Sequence, residues 1–185
     1  MIGLVILGVI VVLLAVFLIS VYNNLVQLRQ RVQNSWAQVD VQLKRRYDLI
    51  PNLVGAVKGY AQHEKATLEG VTQARNMAMN AGNIQEQMQA ENMLSSALRS
   101  LFAVAEAYPE LKANTNFMQL QAELTDTESK IAFSRQFYND TVQKFNTKIE
   151  LFPTNLVAGM LGFAMVDYFN LQGEPDARQA VKVEF

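Results

Sequence analysis

The chain has 185 residues, 50% of them hydrophobic, a net charge of −1 and no cysteine. Without cysteine there are no disulfides, no thiolate chemistry, no zinc finger and no acylated lipoprotein-type anchor. The balanced charge gives no electrostatic reason to invoke nucleic acid. Once a membrane segment of roughly 20 residues is set aside, one domain's worth of chain remains, enough for a real core.

Residues 1–19, MIGLVILGVIVVLLAVFLI, carry no charge. As a helix rising ~1.5 Å per residue they cover about 30 Å, the thickness of a bilayer's hydrocarbon. Tyr22 falls where an interfacial aromatic belongs. The alternative, a cleaved signal peptide, calls for a basic start, a shorter apolar run and a small-residue cleavage site. The chain has no Lys or Arg before the run and no A-x-A after it, so the expectation is a single uncleaved transmembrane helix over 1–22. Arg29 and Arg31 follow the span closely. By the positive-inside rule the body then lies on the cytoplasmic side of the membrane, with a periplasmic or extracellular body as the alternative.

Residues 23–153 are predicted to form a helical bundle, in four helices at about 23–62, 64–80, 84–108 and 113–152. In the first, apolar residues recur every three or four positions: Leu25, Leu28, Val32, Trp36, Val39, Leu43, Tyr47, Ile50, Val54, Val57 and Ala61. This is one stripe on a helix, with no linker between it and the span. The expected fold class is therefore all-α, a transmembrane helix continuous with a long antiparallel four-helix bundle. Pro51 sits inside the stripe and predicts either a kink or a fresh helix capped by Asp48. Because the apolar register continues across it, the kink is the preferred reading.

Asn80-Ala-Gly-Asn83 marks a turn, and Pro109 ends the third helix. The last helix keeps a seven-residue repeat through Phe117, Leu120, Leu124, Ile131, Tyr138, Val142, Phe145, Ile149 and Phe152. Thr127 and Ser134 fill the remaining seam positions, a coiled-coil-like pattern that Pro153 closes. Residues 154–185 form an apolar segment and a tail. LVAGMLGFAMV, 156–166, is too short to span a bilayer. It reads either as core folded over the bundle end or as a contact with lipid or another subunit, through Leu156, Met160, Phe163, Met165 and Phe169. The alternation Val181, Val183, Phe185 allows a short terminal strand or a clasping tail.

Chemistry is sparse. His63-Glu64 begins like a zinc-protease H-E-x-x-H, but residue 67 is Thr. Glycine-rich phosphate loops, the nucleophile elbow and Glu-x-x-His pairs are all missing. The expectation is a non-enzymatic chain with no catalytic residue, metal or cofactor. Two polar clusters stand out: Lys44-Arg45-Arg46 with Asp48, and Glu128 with Lys130, Arg135, Asn139 and Asp140. A straight helix places Arg45 about 35 Å beyond residue 22, too far for direct attraction to headgroups. A solvated face or a cross-helix polar clasp is the preferred reading, in which Glu128 and Arg135 pair with the basic triplet.

The run RRYDLIPNLV (45–54), the stretch ELTDTESKIAFSRQFYND (123–140) and the terminal VKVEF (181–185) resemble the LemA family, and the likeness covers nearly the whole chain after the span. It implies a bacterial single-pass membrane protein with a helical bundle and no established catalytic residues. It also implies association with membrane zinc-metalloproteases or TPM-domain proteins. The resulting expectation is a scaffold that forms a homo-oligomer on the lipid bilayer, or an adaptor for such a protease, in envelope organisation or maintenance.

Overall fold

The computed structural model describes residues 1–61 and 63–169. The helices are α1 (Ile2–Lys58), α2 (Lys65–Met79), α3 (Ile84–Glu106), α4 (Pro109–Lys112), α5 (Thr115–Glu150) and α6 (Asn155–Ala158), and among the described residues there is no strand. The expected transmembrane helix and the expected first bundle helix are thus one uninterrupted α1 of 57 residues. The suggested terminal strand lies outside the described residues. The helices form two compact units, to both of which α1 and α5 contribute.

The first unit joins Met1–Val39 to Ser134–Tyr168. Its first residues, Met1 to Val16, are all exposed and belong to a stretch long and apolar enough to cross a membrane. Below the span, α1 and α5 pack along the stripes seen in the sequence. Leu25, Val32, Tyr138, Val142 and Phe145 are buried, and the Trp36 and Tyr138 rings meet edge to face at 5.3 Å. After α6 the chain turns back at Gly162, whose φ of 75° is a left-handed conformation that favours glycine. Phe163 N–H donates to Ala158 O and Gly162 N–H to Gly159 O, the two bonds of a Schellman-type stop. The chain then runs extended along α5. Asn146 donates to Val166 O at 2.8 Å and accepts from Val166 N at 2.9 Å, and the Tyr138 hydroxyl donates to Asp167 O at 3.1 Å. A buried asparagine so holds an extended segment without a sheet.

The second unit is a bundle over Asp40–Phe133. Leu43, Ile50, Val57, Val71, Leu94, Leu101, Phe117 and Ile131 form its core. Asn83 caps α3 by accepting from Glu86 N–H, while the Glu86 carboxylate accepts from Asn83 Nδ2 and from Gly82 N–H, a reciprocal variant of the capping box. Pro109 does not only end α3. It opens the short α4 from its first turn.

Pro51 starts no new helix, since α1 continues through it. Proline leaves the carbonyl four residues earlier, that of Tyr47, without its helical donor. Arg75 of α2 fills the gap, its Nε donating to Tyr47 O at 2.7 Å. Arg75→Ala strands that carbonyl and is expected to cost about 1–3 kcal/mol in thermal unfolding of the full chain. In a Pro51→Ala background, where a backbone N–H returns at position 51, the same change should cost less than half as much. Equal costs in both backgrounds would show that Arg75 serves something else.

Candidate functional site

The second unit buries a polar network among its apolar seams. The three basic residues 44–46 point in three directions, about 100° apart on a helix. Arg46 falls three residues after Leu43 and four before Ile50, so it faces the core and is 1% exposed. Lys44, Arg45 and Asp48 are exposed. On α3, Gln87, Glu91 and Ser95 recur every four residues and line one face opposite Arg46.

The Arg46 guanidinium is used on each of its edges. Nη1 donates to Glu91 Oε2 at 2.9 Å and Nη2 to Ser95 Oγ at 2.9 Å. Nε lies 2.9 Å from Glu128 Oε1 on α5, but its N–H is not aimed at that oxygen, so this contact is coulombic rather than a formed hydrogen bond. Glu91 is fully buried. Its second oxygen accepts from the Tyr47 hydroxyl and lies 3.3 Å from Gln87 Nε2, which also donates to the Tyr47 oxygen at 2.7 Å. A buried carboxylate is tolerable only when paired and hydrogen-bonded, and this one is both.

Burial pushes the Tyr47 hydroxyl well above the ordinary phenol range, and the adjoining Glu91 carboxylate adds to the shift. Tyr138, in the first unit, is pushed up to about 12 from 10.0, chiefly by burial and then by the Asp167 carboxylate. Both stay protonated at neutral pH and offer no base there. The sign of the pH effect follows. Below pH 10 both folded and unfolded chains hold these protons, so the stabilisation is complete. Above it the unfolded chain loses them first, and stability falls as pH rises, by up to about 1.4 kcal/mol per pH unit for each tyrosine. Alkaline unfolding between pH 10 and 12 should therefore be shallower in Tyr138→Phe than in the parent. An unchanged slope would refute the assignment for Tyr138.

Of the residues singled out in the sequence, the structure brings Arg46 and Glu128 together, while Arg135 belongs to the first unit. Phe163 and Phe169, grouped there with outward contacts, are instead buried at 5% and 3% exposure. Leu156, Met160 and Met165 remain exposed. The left-handed turn at Gly162 accounts for Phe163, because it reverses the chain and sends that ring inward. Sequence reasoning missed Glu91, Tyr47, Gln87, Ser95 and Arg75. Glu91 had left a signal, for it occupies the gap in the α3 seam ahead of Leu94, Leu98 and Leu101.

His63 is exposed in the turn after α1. Among the described residues no three His, Cys, Asp or Glu side chains gather as metal ligands would. A cavity of about 250 Å³ reaches the network past Arg99, Phe102 and Leu124. The arrangement can fix helix register; it presents no nucleophile beside a base.

The sequence profile of the LemA family matches residues 35–185. The chain belongs to the LemA family. It is 28% identical over 148 residues to Protein LemA of Metamycoplasma hominis, covering 80% of this chain and 68% of that protein. It is 24% identical over 174 residues to Magnetosome protein MamQ 2 of Paramagnetospirillum magneticum, and 24% over 175 to Magnetosome protein MamQ of Magnetospirillum gryphiswaldense. Each covers 80% of this chain and 64% of the relative. The chain thus spans about two thirds of the length of these relatives. The LemA match takes in the whole buried network and every helix except α1 before residue 35. The LemA family is helical and membrane-associated, in keeping with the N-terminal helix of this member, long and apolar enough to cross a membrane.

Proposed function

We propose that this LemA-family chain is a non-catalytic, membrane-anchored helical scaffold that self-associates at the bacterial membrane, in envelope organisation or maintenance. The observation that carries it is a pair of exposed apolar side chains on the second unit. Val41 of α1 is 62% and Phe133 of α5 is 74% exposed. The Arg46–Glu128 pair sets the antiparallel register of α1 and α5 in this unit. Counting five residues back along α1 and five onward along α5 brings Val41 and Phe133 to one height. Such side chains exposed at one level fit a contact between copies better than an isolated surface residue does. The buried charges support the same reading, since Arg46 and Glu91 are spent on holding helices together.

Sedimentation of the full chain in mild detergent tests it. An oligomer is expected, and Phe133→Glu should shift it toward smaller species at unchanged helicity. A monomer at every concentration would sink the proposal.

A further inference from the structure

The loop that follows α5 has an outward surface that the scaffold reading leaves unused. Leu151, Phe152, Leu156, Met160 and Met165 are 53–87% exposed. Residues 151–166 contain no Lys, Arg, Asp or Glu. An uncharged loop with five large apolar side chains turned outward is costly in water. Its other face turns inward, where Ala158 and Phe163 are buried.

Contacts within the first unit fix the height of this loop against the membrane span. The Phe163 ring meets Tyr22, the aromatic at the end of the apolar run, edge to face at 5.8 Å. The Arg29 guanidinium lies over the same ring, 5.1 Å from the Phe163 centroid. Phe17 and Leu18 are the only half-buried residues in 1–20; the rest are exposed. These two residues lie about one helical turn before Tyr22, the residue that Phe163 meets. From Tyr22 to Leu18 is about 6 Å along the axis at ~1.5 Å per residue. Segments that lie in a membrane interface bury their apolar face by roughly 5–10 Å.

We propose that the 151–165 loop is a second membrane contact, which seats Phe152, Leu156 and Met160 in the headgroup–acyl boundary of the bilayer that α1 spans. Continuity with the span favours lipid over a second copy of the chain, because the exposed face lies beside the end of the anchor. The absence of charge in the loop makes the contact one of apolar insertion, insensitive to salt and to anionic lipid. The inference rests on α1 as the anchor and not on self-association.

The cysteine-free chain allows a direct test. Single variants Phe152→Cys, Met160→Cys, Gln143→Cys and Val9→Cys are labelled with an environment-sensitive fluorophore. The full chain is then reconstituted into phosphatidylcholine vesicles holding spin-labelled lipids, with the quencher either near the headgroup or deep among the acyl chains. The labels at 152 and 160 should shift to the blue and lose emission to the shallow quencher, at low and high salt alike. The label at exposed Gln143 should do neither, and that at Val9 should be quenched by the deep probe. A blue shift at 152 and 160 without lipid quenching, varying with protein density, would mean contact with a second copy and would overturn the proposal. Emission at both sites matching Gln143 would also overturn it. An unquenched Val9 would bring down the anchor itself, and this inference with it.

Discussion

Replacing Arg46 by Met is expected to cost about 3–5 kcal/mol, because it leaves Glu91 charged, buried and deprived of its strongest partner. At roughly 2–4 °C per kcal/mol for a chain of this size, the unfolding midpoint should drop by roughly 6–20 °C. The loss would come from the stranded carboxylate more than from missing side-chain volume, since Met fills much of the space of the arginine stem. That distinction has its own test. Adding Glu91→Gln to Arg46→Met removes the orphaned charge yet keeps an acceptor for Tyr47, and should recover most of the lost stability. Glu128 needs no such rescue, for its side chain is 41% exposed and water can solvate it. Thermal unfolding of the full chain in nanodiscs, followed by helical circular dichroism, reads both variants. If the double variant were no more stable than Arg46→Met alone, the network's value would lie in packing and the electrostatic account would fail.

The fate of Arg46 also shows what the sequence could reveal. Its place between Leu43 and Ile50 turns it inward by helical geometry, so for this residue the solvated-face reading of the triplet gives way to burial. Partner choice was not legible, because Glu91 lies forty-five residues away on α3 and nothing local points to it. The same holds for Pro51. Its missing donor was predictable, while the replacement from Arg75 depends on where α2 comes to rest. Helix limits were the easiest features to read. Asn80–Asn83 and Pro109 punctuate the chain by local backbone preference, and α2 ends at Met79 and α3 at Glu106 beside them. In the apolar 156–166 segment Ala158 and Phe163 pack inward, while Leu156, Met160 and Met165 stay exposed. A segment laid along a helix shows alternate faces, and composition cannot say which face is which until Gly162 sets the turn.

The second large effect is expected at Phe163. Its ring is 5% exposed and sits among Tyr22, Phe145 and Arg29, so Phe163→Ala should cost about 3–5 kcal/mol. That cost falls on the first unit alone, whose α1 and extended segment the ring joins. Neighbouring Met165, 53% exposed, is the control, and Met165→Ala should change stability by no more than about 0.5 kcal/mol. Hydrogen exchange on the full chain in nanodiscs resolves the two units. With Phe163→Ala, amides of 158–166 should exchange faster while those of α2 and α3 keep the parent's protection. Phe163→Leu should restore part of the protection by refilling volume, but not the edge-to-face contact with Tyr22 or the cation–π contact with Arg29. Equal loss of protection in α2 and α3 would mean that the ring holds the whole chain together instead of locking the loop beside the end of the span.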